Sequence, residues 1–169
     1  MKNIIALLGM VLLVGSLSSC GLVALVKCSP GYVRSDFSAL QTQVGQNKSL
    51  WLGKGIQSYE YTFTSGGFGP RIPFRVTVKA GVVTQAKSIP NPQFPNDSGY
   101  VPADLQTLTM EQQFLSLERN INSPDDCDTA KLEFDATYGF PKSGAFSDQT
   151  NGLADGFGGF TISDFVLTP

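Results

Sequence analysis

Two kinds of hydrophobic spacing succeed one another along the chain, and each predicts its own kind of element. From Ser35 onward, Phe37, Leu40, Val44 and Trp51 recur at intervals of three, four and seven, the spacing that gathers side chains on one face of an α-helix. Ser35 or Asp36 would cap its start, and Gly53 and Gly55 would stop it. Strict alternation then takes over from Ser58 to Thr64, where Tyr59, Tyr61 and Phe63 oppose Glu60 and Thr62. It returns from Ile72 to Lys79, where Ile72, Phe74, Val76 and Val78 oppose Arg75, Thr77 and Lys79. A period of two sends neighbouring side chains to opposite faces, so both segments read as half-buried antiparallel strands. Ala80-Gly81 signals a tight turn into a third strand, Val82 to Ser88.

The second half repeats that order without repeating the residues. Pro90, Pro92, Pro95 and Pro102 punctuate a polar connection from Ile89 to Gln106, a length associated with functional or mobile loops. Thr109-Met110-Glu111-Gln112 spells a capping box, after which Met110, Phe114, Leu117 and Ile121 keep helical spacing as far as Asn122-Ser123-Pro124. A strand from Ala130 to Ala136 would turn Leu132 and Phe134 inward and Lys131, Glu133 and Asp135 outward. Tyr138-Gly139-Phe140-Pro141 reads as a turn, and strands near Ser143 to Ser147 and Phe160 to Leu167 complete the chain. The prediction is an α+β fold in the order helix, three strands, helix, three strands, with a curved antiparallel sheet carrying two helices on one face.

The N-terminus has a different character. Met1-Lys2-Asn3 is a short positive segment and Ile4 to Leu17 an apolar one, the layout of a secretory signal. Leu17-Ser18-Ser19-Cys20 follows and resembles the lipobox of bacterial lipoproteins, which implies cleavage before Cys20 and acylation of its sulfur and new amino group. The competing reading is an uncleaved anchor, since the nearly continuous apolar run from Ile4 to Val26 exceeds the roughly 20 residues that span a bilayer. On the lipoprotein reading, residues 1–19 are a signal peptide, 20–34 a lipid-anchored tether and 35–169 a single α+β domain. Two or three acyl chains anchor stably where one does not. Gly21 in place of Asp after the cysteine fits, by the sorting pattern of lipoproteins, delivery to an outer membrane, facing the periplasm.

Composition narrows the chemistry. Charged residues make up only 15% of the 169, the net charge is -2, and the twelve Lys and Arg are scattered singly, which excludes the basic footprint of a nucleic-acid binder. The chain has no histidine, so Ser/His/Asp and Cys/His catalysis and His-ligated zinc are excluded. No cofactor or metal site is expected. Asp125-Asp126-Cys127-Asp128 lacks the calcium-loop pattern and reads as a solvated acidic loop. With Cys20 acylated, Cys28 and Cys127 form an even pair in an oxidising compartment, and a disulfide is the favoured reading. The alternative, a reactive thiol at Cys127, is opposed by its three Asp neighbours, because negative charge disfavours a thiolate. Glu60, Glu133 and Asp135 would support acid/base chemistry only if they met in a cleft; pairing with Arg75, Lys79 or Lys131 across strands is the better account. Phe68, Phe157 and Phe160 are read as standing on glycine-rich loops, where they are candidate contacts for an envelope protein or a small hydrophobic ligand; the alternative is that they fold back onto the core.

Trp51, Tyr59-Glu60-Tyr61, Val76-Thr77-Val78-Lys79-Ala80-Gly81, the Thr109 capping box with Phe114, and Phe134-Asp135-Ala136-Thr137-Tyr138-Gly139-Phe140-Pro141 together resemble the bacterial lipoprotein family catalogued as domain of unknown function 6174, over about Ser35 to Val166. Members often carry cysteines where this chain reads Ser65-Gly66-Gly67-Phe68-Gly69-Pro70, and the acidic segment before the last strand is reduced here to Leu153-Ala154-Asp155-Gly156. The resemblance implies fold and envelope location but no activity. The expectation is a cell-envelope lipoprotein serving as a non-enzymatic binding or structural module; the alternative is a carboxylate-dependent, hydrolase-like enzyme.

Overall fold

The computed structural model describes residues 28–67, 73–90, 101–150 and 157–169. The first helical pattern forms α1, Phe37–Lys54, with Phe37, Val44 and Trp51 buried. Asp36 caps it by accepting the Ala39 N–H at 2.9 Å. Gly53 does not stop the helix as expected but remains inside it; Gly55, at φ 62°, ends it in the left-handed conformation that glycine adopts without penalty. The second pattern forms α2, Met110–Asn122, capped by the Thr109 hydroxyl, which accepts the Gln112 N–H. A 3-10 turn at Leu105–Leu108 leads into it.

Six strands make one antiparallel sheet: β1 Tyr59–Gly66, β2 Phe74–Lys79, β3 Val82–Ser88, β4 Asp128–Phe134, β5 Pro141–Asp148 and β6 Phe157–Leu167, in the spatial order β3-β2-β1-β6-β5-β4. Each three-strand run is a meander, and the pairing of β1 with β6 joins the two. Both helices cover one face. The Ala80-Gly81 turn connects Lys79 to its partner Val82, with both turn residues at positive φ (50° and 77°), as a type I′ hairpin requires. Ile72 lies outside the described residues, and β2 begins at Phe74. β4 starts two residues earlier than predicted and stops at Phe134, because Asp135 leaves the ladder. Its carboxylate accepts the N–H groups of Thr137 and Tyr138, and its carbonyl accepts that of Gly139. Gly139 has φ 83°, and a Cβ there would lie 2.5 Å from the Asn47 carbonyl of α1. Only glycine lets this turn press against the helix.

In β6 the register shifts. Glu60 pairs with Val166 but Thr62 with Ser163, so Asp164 and Phe165 together oppose Tyr61. Asp164, at φ 50°, is the extra residue of a β-bulge. The bulge returns Phe165 to the face that Ile162 occupies. Arg75 holds it from the open face of the sheet, donating to the Asp164 carbonyl at 2.9 Å and pairing with Glu60 at 3.2 Å.

Three aromatic side chains fasten α2 to this frame. The Tyr59 hydroxyl accepts the Met110 N–H at 2.9 Å, the Tyr61 hydroxyl donates to the Leu108 carbonyl, and the Trp51 indole donates to Glu111 at 2.8 Å. Burial pushes both phenols well above the ordinary value of 10.0. At the other end Cys28 and Cys127, 99 positions apart in sequence, are disulfide-bonded with Cα atoms 5.2 Å apart. Ser29 donates to Gln149, and Gln149 to Cys127, so the start of the domain is also hydrogen-bonded beside β4 and β5.

A tyrosine whose folded pKa is raised contributes stability that is intact below the unfolded pKa and lost as pH rises beyond it. Thermal midpoints measured from pH 8 upward should therefore be flat to about 10 and then fall, and Tyr61→Phe should flatten the fall while lowering the midpoint at pH 8. An unchanged alkaline slope in the variant would assign the loss elsewhere. Reducing the disulfide, or Cys127→Ser, should lower unfolding free energy by up to about 4.7 kcal/mol, the chain-entropy value for a loop near one hundred residues, as read from denaturant midpoints.

Candidate functional site

Helix α2 is amphipathic in a way that leaves a second stripe beside its core face. Met110, Phe114, Leu117 and Ile121 are buried, while Gln112, Ser116, Arg119 and Ser123 follow one another at helical spacing along its flank. Below this flank the sheet extends past the helices. There Phe63 of β1, Phe146 of β5 and Phe160 of β6 project on the helix side, because Phe63 pairs with Ile162 and Phe146 with Gly158 in register. The result is a cleft of about 670 Å³, within the range of small-molecule sites.

Glycine keeps the cleft shaped and open. A Cβ at Gly144, directly across from Phe160, would sit 2.5 Å from that ring; its absence lets the ring lie across the strand and stack on Phe63 at 5.9 Å, nearly parallel. A Cβ at Gly158 would meet nothing within 4 Å, so the space above Gly158 belongs to the cleft. Phe37 and Leu117 complete the apolar lining. Gln113 is buried and satisfied, donating to the Thr107 carbonyl at 2.9 Å.

The rim carries charge of both signs. Arg119 makes no ion pair among the described residues; its Nε donates only to the Leu115 carbonyl at 3.4 Å. Asp128 uses one carboxylate oxygen to accept the Asp125 N–H at 2.7 Å. Asp148 accepts the Thr150 N–H at 2.8 Å, and hydrogen bonds from the Thr150 hydroxyl and backbone hold its carboxyl below the usual range.

The structure divides the residues singled out by sequence. Phe160 lines the cleft, whereas Phe157, three positions earlier on the same strand, faces the opposite side beside Gly159 and Thr161, over a depression of about 220 Å³. Phe160 also borders that depression, but of the two only Phe160 reaches the cleft. Phe68 and Cys20 lie outside the described residues. Phe63, Phe146 and Arg119 are new to the site, and only the period-two alternation that puts Phe63 in line with Tyr59 and Tyr61 hinted at any of them.

The carboxylates stay apart. Glu60 pairs with Arg75 on β2, and Glu133 with Lys131 of its own strand at 3.1 Å rather than across strands; the Lys131 hydrogen bond holds Glu133 below its usual pKa. Two strands separate β1 from β4, and Glu133 is level with Thr64, four residues along from Glu60, so these groups lie at least about 14 Å apart at normal strand spacing, beyond the separations of paired catalytic carboxylates. Asp135 is occupied by its own turn. Among the described residues no group of three or more His, Cys, Asp or Glu could hold a metal ion, and no helix is long and apolar enough to cross a membrane.

The aromatic residues that carry the family resemblance assemble elsewhere. Trp51 meets Tyr59, Phe140 and Phe165 edge-on at 5.3, 6.5 and 6.0 Å, and Phe165 stacks on Phe140 at 4.5 Å and leans on Tyr138 at 5.5 Å. Comparison with curated proteins and with solved structures yields no match. Comparison with family models matches residues 43–167, a span holding this aromatic cluster, both halves of the sheet and most of the cleft, to a family of unknown function, DUF6174, and the chain belongs to that family.

Proposed function

We propose that this protein is a cell-envelope lipoprotein, anchored through lipid on Cys20, whose domain faces the periplasm as a non-enzymatic binding module for a small hydrophobic ligand. The observation that carries the binding reading is the cleft itself. Three phenylalanines from three different strands are gathered on its floor, and Gly158 leaves room above them. Ligand sites are characteristically concave, apolar in lining and supplied with a few polar groups at the edge. The wide spacing of Glu60 and Glu133, each with its own cation, speaks against the alternative of a carboxylate-dependent hydrolase. An envelope location is supported by the signal-like start, the lipobox-like Leu17-Ser18-Ser19-Cys20 and the disulfide, which persists in oxidising compartments.

Intact mass of the protein recovered from its own membranes should correspond to a chain beginning at an acylated Cys20, and Cys20→Ser should release it from the membrane pellet. A mass beginning at Met1 without acyl groups would overturn the lipoprotein reading. For the binding module, the fluorescence of N-phenyl-1-naphthylamine should rise on mixing with the protein. Gly158→Leu, whose Cβ would meet nothing within 4 Å and whose branch would extend into the cleft, should weaken that binding by about tenfold or more, the order expected when buried apolar contact is lost, with little change in melting temperature. Equal binding by both proteins would place the probe elsewhere.

A further inference from the structure

The cleft combines an apolar floor with a rim on which an unpaired guanidinium and two carboxylates stand together. A purely apolar ligand would leave all three charges without use, and a simple fatty acid would match the guanidinium while facing two like charges. The complementary occupant has an apolar chain, one anionic group and one cationic group. Arg119 suits a phosphate, whose oxygens accept in the fork geometry of a guanidinium. Asp128 spends one oxygen on a backbone N–H, while Asp148 accepts both the N–H and the hydroxyl of Thr150; each carboxylate has further lone pairs to offer an ammonium.

The position of the tether says where such a molecule would come from. Cys127 immediately precedes Asp128 on the rim, and its disulfide to Cys28, with the Ser29 to Gln149 hydrogen bond, fixes the start of the domain beside that same edge. Cys28 lies eight positions after Cys20, a reach of at most about 28 Å. Lipid on Cys20 would thus hold the charged edge of the cleft within one short tether of a bilayer.

We infer that the cleft takes a membrane lipid with a zwitterionic head, its acyl chain against Phe63, Phe146 and Phe160, its phosphate on Arg119 and its ammonium between Asp128 and Asp148. This rests on the lipoprotein reading for the source of the lipid and on the cleft alone for its chemistry.

The test uses the full protein purified from its own membranes and placed in nanodiscs of phosphatidylglycerol. The discs are doped with a photoreactive acyl probe in three arms: phosphatidylethanolamine, phosphatidylglycerol or free palmitate. After illumination, peptide mapping should find the phosphatidylethanolamine probe on α2, β5 and β6 residues of the cleft, about tenfold above the other two arms, as expected for charge-assisted hydrogen bonds. Arg119→Gln and Asp148→Asn, both on the rim and outside the core, should each remove about that factor, and Gly158→Leu should abolish cleft labelling. Equal labelling in all three arms, labelling indifferent to the rim variants, or labelling confined to residues outside the cleft would each overturn the inference. The intact mass of the same preparation reports acylation of Cys20 separately, so a failure of the anchor and a failure of lipid binding are distinguishable.

Discussion

The need to satisfy buried phenols governs much of this molecule. Tyr59 and Tyr61 stand two apart on one strand, so their rings share the core face, and each hydroxyl must find a partner where water does not reach. They find it at the junction of the 3-10 turn with α2, where one accepts the Met110 N–H and the other donates to the Leu108 carbonyl. The N-terminus of α2 is thereby fixed over the start of β1, with Trp51 holding Glu111 from the neighbouring helix. Once its first turn is pinned, the direction of α2 carries its later turns out over β5 and β6. The cleft is the space under those turns.

The bulge in β6 makes the arrangement possible on the sheet side. Without the extra residue, a period of two would put Phe160 and Ile162 on the helix face and Phe165 on the other. Asp164 absorbs the mismatch, so a single strand supplies Phe160 to the cleft and Phe165 to the aromatic cluster around Trp51. Arg75 reaches from β2 across β1 to the Asp164 carbonyl, closing the open face over the distortion. The Glu60 carboxylate steadies that guanidinium. An acidic residue that invites a catalytic reading from sequence is thus engaged in holding the backbone geometry of its neighbour strand.

Element order, both helical faces, the type I′ hairpin and the Thr109 cap were legible because each depends on residues close in sequence. The helix pattern failed only at Gly53, where packing of Trp51 keeps the helix intact for two more residues than local propensity favours. The bulge was not legible, since nothing in Ser163-Asp164-Phe165 announces an extra residue; it follows from pairing β6 with a strand about one hundred positions earlier. The cleft was hidden for the same reason. Phe63, Phe146 and Phe160 come together only when the register of three strands is known, and Arg119 reads as an ordinary solvent-facing residue of a helix. Phe157 and Phe160 are the opposite case: their odd separation on a strand already assigns them to opposite faces.

The residues that mark this chain as a member of its family are the ones that build the frame. Trp51, Tyr59, Tyr61, Tyr138, Gly139 and Phe140 form the aromatic cluster, the anchor of α2 and the turn that presses on α1. Phe63, Phe146, Gly158 and Arg119 belong to none of those motifs. Phe63, Phe146 and Phe160 pack against the core from its edge, so the floor of the cleft is continuous with the frame while Arg119 stands on its rim. The motifs that carry the resemblance thus account for the frame, and the floor and rim of the cleft are formed by other side chains of this chain.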